Sequence, residues 1–177
     1  MQHRSSVFEL TCAPISTVRI GLVGAGQRGR ATLSRYAYVE GAEFRAVVDP
    51  DPTAVASALE LLREQRRPLP ETSTNAEAWR ELCRREDIDL IYICTDWSNH
   101  AAMAVEAMRC GKHVAVEVPA ATTVADCWEL VRTAEATQRH CFMTENCCYD
   151  WFALATFDMH RRGVFGTITH CEGAYLH

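Results

Sequence analysis

The chain has 177 residues, 18 Lys and Arg against 23 Asp and Glu, and a formal net charge of −5 with its seven histidines neutral. At 48% hydrophobic and 23% charged, the composition excludes a disordered, collagen-like or supercharged chain and suits one domain, or one large domain and a fragment. The mild acidity argues against a protein that holds nucleic acid by neutralising phosphates.

Nine cysteines, Cys12, Cys83, Cys94, Cys110, Cys127, Cys141, Cys147, Cys148 and Cys171, form no C-x-x-C pair and read as reduced intracellular thiols. Adjacent Cys147 and Cys148 have no close His pair to complete a metal site, so no metal is expected. No apolar run approaches the roughly 20 residues of a membrane span, and the start carries no continuous apolar segment. A cytoplasmic protein without a membrane partner is therefore expected. Met1 to Thr17 shows no periodicity and reads as a flexible N-terminal extension.

From Val18 onward, β-branched runs alternate with amphipathic stretches, the pattern of an α/β fold with a doubly wound parallel sheet. The first strand, Val18 to Val23, leads into a helix over about Gln27 to Val39. A second strand, Phe44 to Val48, closes on Asp49-Pro50-Asp51-Pro52, and a helix runs from Thr53 to about Gln65. Arg66 to Ser73, with Pro68 and Pro70, reads as a loop. Thr74 and Glu77 give a capping-box spacing for a helix through Arg85.

Leu90 to Cys94 is apolar on both faces, as in a parallel strand covered by helices on each side. The next helix places Ala101, Ala104, Val105 and Met108 on one stripe and ends at Gly111. A strand Val114 to Val116 precedes a helix with Val124, Cys127, Trp128 and Val131 on its expected inner stripe, then a short run Cys141 to Thr144. A last helix is expected from Asp150 to Gly163, with Phe152, Ala155 and Met159 inward, followed by a strand over Thr167 to Tyr175. Trp79, Trp128 and Trp151 fall on or beside apolar stripes and are expected in the core.

Gly24-Ala25-Gly26-Gln27-Arg28-Gly29 is a G-x-G-x-x-G placed directly after a strand and opening a helix. The first glycine permits the tight turn, the second lets the backbone approach a pyrophosphate, and the third lets helix and strand pack closely. The helix N-terminus adds N–H donors for phosphate. Asp49, at the end of the second strand, suits a ribose 2′-OH and repels a 2′-phosphate, which favours NAD over NADP. Arg28 and Arg45 are the basic residues that bear on that choice.

Three more clusters sit at later strand ends, where ligands of open α/β sheets bind: Thr95 to His100, Glu117-Val118-Pro119, and Glu145 to Tyr149. With the glycine loop, Asp49 and the stretch Cys110-Gly111-Lys112-His113-Val114-Ala115-Val116-Glu117, these make the chain resemble the Gfo/Idh/MocA family of nicotinamide-dependent oxidoreductases from about Val18 to His177. The family's usual Glu-Lys-Pro has Val118 in place of its lysine, and a valine can neither donate a proton nor hold charge. The run Glu117-Val118-Pro119-Ala120-Ala121, with Asp126 to Leu130, Glu145 to Asp150, Gly163 to Gly166 and Glu172 to Tyr175, is similar to the NAD-dependent glycosidases of glycoside hydrolase family 109, whose members include α-N-acetylgalactosaminidases.

The resemblance implies a hydrolysis in which NAD takes a hydride from sugar C3, the C1 substituent leaves by elimination, water adds, and the hydride returns. No carboxylate pair need then be sought. It implies that Gln27 and Arg28 line the pyrophosphate and Asp49 the ribose. It places Trp97, Ser98, Asn99 and His100 at the nicotinamide half, and Glu117, Val118 and Asn146 at the nicotinamide edge. Tyr175 would touch the sugar; Tyr149 and Glu117 are the catalytic candidates.

The organisation expected is an extension over 1–17, an NAD-binding Rossmann domain over 18–146, and over 147–177 a linking helix with the first strand of a truncated substrate domain. The partner expected is a small-molecule glycoside, with a homo-oligomer possible in a full-length form. The alternatives are a sugar dehydrogenase with net hydride transfer, which Val118 disfavours, and a non-catalytic NAD-binding module.

Overall fold

The computed structural model describes residues 6–36 and 38–174. They fall into two compact units, divided between Thr144 and Glu145, two residues before the expected boundary.

The first unit is a six-stranded parallel sheet. Strands β1 (Val18–Val23), β2 (Ala42–Val48), β3 (Glu71–Ser73), β4 (Leu90–Ile93), β5 (His113–Val116) and β6 (Cys141–Met143) are ordered β3-β2-β1-β4-β5-β6. The order reverses between β1 and β4, which opens a crevice at their C-terminal ends. Helices α1 (Gln27–Tyr36), α2 (Pro52–Glu64), α3 (Ala78–Arg84), α4 (Trp97–Arg109) and α5 (Val124–Thr137) join the strands.

Because successive strand residues point to opposite faces, the sheet carries two apolar layers. Ile20, Leu22, Val47 and Tyr92 bury one face with Leu33 of α1 and Ala58 of α2. Ile91, Ile93, Val114 and Val116 bury the other with Leu82 of α3 and Met108 of α4. Trp79 lies in that second core, as its stripe indicated. Pro52 occupies the first turn of α2, where its missing N–H costs nothing, and Asp51 caps the helix by accepting Thr53 N–H at 2.8 Å. Gly111, at φ 82°, ends α4 in the left-handed region.

Several expectations are corrected. Helix α1 stops at Tyr36, short of Val39. The loop expected over Arg66 to Ser73 contains β3, paired with Ala46–Val48; the two prolines precede the paired residues and leave their N–H groups free for the ladder. The Thr74–Glu77 capping box does not form: Glu77 itself precedes α3 and has no side-chain capping bond. Instead, Ser73 Oγ accepts Asn75 N–H and Asn75 Oδ1 accepts Glu77 N–H.

On α5 the buried residues are Leu130, Thr133 and Ala134, whereas Val124, Cys127 and Trp128 face outward. Leu130 and Ala134 belong to the core shared with α3 and α4, so it is this face of α5 that packs inward. Residues 6–17 hold no helix or strand, but Val7 packs against the core and its N–H reaches Glu135 Oε1 at 3.3 Å.

The second unit contains a 3₁₀ turn (Cys147–Tyr149) and helix α6 (Trp151–Arg161), with Asp150 before it and Gly163 turning at φ 73° after it. No residue of α6 is buried, so Phe152, Ala155 and Met159 do not form an inner side, and Trp151 is exposed rather than core. Residues 167–174 form no strand, for they have no paired edge among the described residues. No helix among the described residues is long and apolar enough to cross a membrane.

Candidate functional site

The glycine loop lies between the C-terminal ends of β1, β2 and β4. Gly24 N–H donates to Val48 O at 2.8 Å, and Cys94 N–H to Val23 O at 2.7 Å. Gly24 has φ +94°, and a Cβ there would run into the Cys94 carbonyl; a Cβ on Gly29 would run into the Gly24 carbonyl. A Cβ on Gly26 would meet nothing within 4 Å. Two glycines thus serve the chain's own packing, while the third leaves open space above the loop.

That space is what a pyrophosphate needs. The first-turn amides of α1 have no intrahelical acceptor, and no acidic side chain sits in that turn to compete for them. The backbone of Gly26, Gln27 and Arg28 therefore fits an anionic dinucleotide bridge. Gln27 and Arg28 are both exposed.

Asp49 stands beside the loop. Its Oδ2 accepts Ala25 N–H at 2.6 Å and its Oδ1 accepts Asp51 N–H at 2.8 Å, and each carboxylate oxygen has capacity for a further donor. A cleft of about 830 Å³ begins here, lined by Gly24, Gly26 and Asp49 on one side and by Thr95, Ser98 and Asn99 on another. Ser98 and Asn99, expected at the nicotinamide half, share this cleft with Asp49. Both donate to Asp96, Asn99 Nδ2 at 2.5 Å, and together they hold the Asp96 carboxyl below its usual range. Trp97 is exposed at the start of α4.

The side chain of His100 is not available to a ligand. It is wholly buried, with Nδ1 2.8 Å from Pro119 O and Nε2 3.0 Å from Thr95 O. The expected cofactor contact is replaced by a structural one, because α4 turns this position under the strand ends and ties the loops after β4 and β5 together.

The Arg28 side chain has a protein partner as well. Its guanidinium is engaged by Glu117, with Nε and Nη2 each 3.0 Å from Oε2. Glu117 is buried at the end of β5, and Tyr92 donates its hydroxyl to Oε1 at 3.2 Å. The carboxylate raises the Arg28 pKa, and burial pushes the Tyr92 phenol up to about 12. Burial also raises the neighbouring Cys94 thiol to about 12, which keeps it protonated and unreactive. Spacing along the chain shows no sign of this cluster, because Arg28 comes from the first turn of α1, Tyr92 and Cys94 from β4 and the residue after it, and Glu117 from the end of β5.

Val118 is partly exposed and joined to Pro119 by a cis peptide bond. In the second unit, Asn146 precedes the 3₁₀ turn and its carbonyl accepts Tyr149 N–H at 3.0 Å; the Tyr149 ring is exposed. Tyr175 lies outside the described residues. Among the described residues, no group of three or more His, Cys, Asp or Glu is placed to hold a metal ion.

Parallel order β3-β2-β1-β4-β5-β6, a glycine loop at the switch point and an acid at the end of β2 define a dinucleotide-binding Rossmann domain. The chain belongs to the Gfo/Idh/MocA oxidoreductase family with its NAD-binding Rossmann fold, whose model matches residues 18–145. It is 53% identical over 98% of its length to glycosyl hydrolase family 109 protein 2 of Phocaeicola vulgatus, of which it covers 42%. It is 50% identical over 98% of its length to an alpha-N-acetylgalactosaminidase of Bacteroides fragilis, of which it covers 41%. The chain thus spans about two fifths of the length of these relatives. Among solved structures, myo-inositol dehydrogenase from Lactobacillus casei, in complex with NAD(H) and myo-inositol, superposes with a TM-score of 0.74 at 25% identity, over 85% of this chain and 43% of that one.

Proposed function

We propose that this chain forms the NAD-holding part of a family 109 glycosidase acting on an α-N-acetylgalactosaminide or a related small glycoside. The observation that carries the reading is identity of 50% and above, across 98% of the chain, to relatives bearing that name. Val118 supports it against net dehydrogenation, since the position offers no proton donor for an alcohol.

Bound NAD would supply a hydride acceptor and, later in the same turnover, the hydride donor. The chain's own part is binding and orientation. Amides of Gly26, Gln27 and Arg28 hold the pyrophosphate, and Asp49 accepts from the ribose hydroxyls. Ser98 and Asn99 stand beside Asp49 in the 830 Å³ cleft and so take the adenosine side, with exposed Trp97 next to them. Glu117, Val118 and Asn146 take the nicotinamide edge. Tyr149 is the acid–base candidate within the chain, and Tyr175 the sugar contact. The mild negative charge supports a partnership without nucleic acid, and the unpaired thiols suit the cytoplasm. A homo-oligomer belongs to the full-length form.

The test has two parts. Purified protein is denatured and the released ligand weighed by mass spectrometry, alongside an NAD titration; stoichiometric NAD or micromolar binding is expected. A chain extended to the length of its relatives is then given a chromogenic N-acetyl-α-galactosaminide. Aglycone release without net NADH is expected. Net NADH from a free sugar would replace this reading with a sugar dehydrogenase, and absence of NAD in both measurements would end the enzymatic reading.

A further inference from the structure

The ribose acid has a close structural neighbour across the sheet edge. Asp49 N–H donates to Ser73 O at 3.1 Å, and β3 aligns Ser73 with Val48, so the chain leaving β3 passes directly beside Asp49. Two successive side-chain turns, at Ser73 and Asn75, then deliver Glu77 and α3 to the wall of the same cleft.

On that wall the Arg80 guanidinium lies over the Trp79 ring, its central carbon 4.2 Å from the ring centroid. Glu77 Oε2 accepts from Arg80 Nε at 2.8 Å. Trp79 is buried, while the Arg80 side chain is half exposed. The guanidinium therefore rests on Trp79 and is bonded along one edge by Glu77, and Arg80 is among the residues that line the cleft. A planar, weakly hydrated cation held flat is a stacking surface for an aromatic ring.

We propose that Arg80, laid on Trp79 and held by Glu77, is the shelf on which the adenine of the cofactor stacks. The inference rests on the NAD-binding reading above. The adenine is joined to the ribose that Asp49 holds, so it must settle within one sugar's length of Asp49, and α3 is the wall that the Ser73 hydrogen bond brings there. Glu77 and Trp79 are positioning residues in this arrangement.

Titration of NAD, ADP-ribose and NADP into wild type, Arg80→Ala and Arg80→Lys tests it, with the thermal midpoint of each free protein as the folding control. Both variants are expected to fold as wild type and to bind NAD and ADP-ribose about tenfold more weakly, because lysine keeps the charge and loses the plane. Unchanged ADP-ribose affinity in Arg80→Ala overturns the shelf, and so does wild-type affinity in Arg80→Lys. A loss confined to NADP assigns the guanidinium to a 2′-phosphate and also overturns it. Failure of wild type to bind either NAD or ADP-ribose overturns the underlying reading as well, an outcome distinct from binding that the Arg80 variants leave unaltered.

Discussion

Arg28, in the first turn of α1, and Glu117, at the end of β5, form an ion pair with two 3.0 Å contacts to a carboxylate that is 8% exposed at its side chain. The pair spans the switch point and places a neutral unit, rather than a free cation, beside the glycine loop. Removing Arg28 alone leaves a buried carboxylate facing the pyrophosphate position, whereas removing both charges does not. Arg28→Ala is expected to lower stability by about 1 to 3 kcal/mol and NAD affinity by about tenfold. Adding Glu117→Gln is expected to restore at least half of each loss. Urea unfolding and NAD titration of the double-mutant cycle check this; an affinity as low in the double variant as in Arg28→Ala would show that Arg28 grips the cofactor directly.

The three glycines of the loop separate packing from binding. Gly24→Ala and Gly29→Ala each drive a methyl group into a backbone carbonyl, and Gly24 also sits at φ +94°, so both are expected to unfold the domain at lower temperature, by several degrees. Gly26→Ala meets nothing within 4 Å and is expected to leave the thermal midpoint within about 2 °C of wild type while weakening NAD at least tenfold. Thermal scans with and without NAD make the comparison. A Gly26→Ala protein that binds NAD as wild type would move the pyrophosphate away from this loop.

Much of this arrangement was legible because it is local. A strand, a G-x-G-x-x-G and a helix start within a dozen residues, and Asp49 closes the very next strand, so spacing alone located the loop and its acid. Arg28 and Glu117 are 89 residues apart and meet only when β5 joins the sheet. His100 carried a polar side chain in a cluster of polar neighbours, and only the packing of α4 turns it inward to the Thr95 and Pro119 carbonyls. Helix α5 differs for another reason: its apolar residues are spread over two faces, and Leu130 with Ala134, rather than Val124 with Trp128, is the set that joins the core.

On the proposed reading Asp49 has two duties, holding the loop and accepting from the ribose, and a pair of substitutions separates them. Asp49→Ala removes the acceptors for Ala25 and Asp51 N–H along with the ribose contact, and is expected to cost about 1 to 2 kcal/mol in NAD binding with a measurable loss of stability. Asp49→Asn keeps one carbonyl oxygen for the loop but carries no charge to repel a 2′-phosphate, so its preference for NAD over NADP is expected to shrink. Calorimetric titration with both dinucleotides checks the ratio. An unchanged ratio would take the cofactor choice away from Asp49.

At the opposite end of the sheet, Asp89 accepts Arg19 N–H at 2.9 Å, Arg19 Nε at 2.8 Å and Arg19 Nη2 at 2.6 Å, which ties the start of β1 to the start of β4. The Arg19 hydrogen bonds hold the Asp89 carboxyl below its usual range, and Arg85 lowers the nearby Asp87 to about 2. A carboxyl whose folded pKa is depressed adds stability above its unfolded value of about 3.9, and that stability is lost as pH falls through the folded value. Wild type is therefore expected to weaken progressively from about pH 4 down toward pH 2 through these two groups. Asp87 is nearly half exposed, so its pair contributes less than about 1 kcal/mol, and Asp89, with 16% of its side chain exposed, carries the larger share. Asp89→Asn is expected to lose about 1 to 3 kcal/mol at pH 7 and to show a flatter acid limb than wild type. Urea midpoints at pH 7, 4 and 2.5 measure both. An Asp89→Asn protein whose stability falls as steeply as wild type over that window would assign the acid sensitivity to other carboxylates.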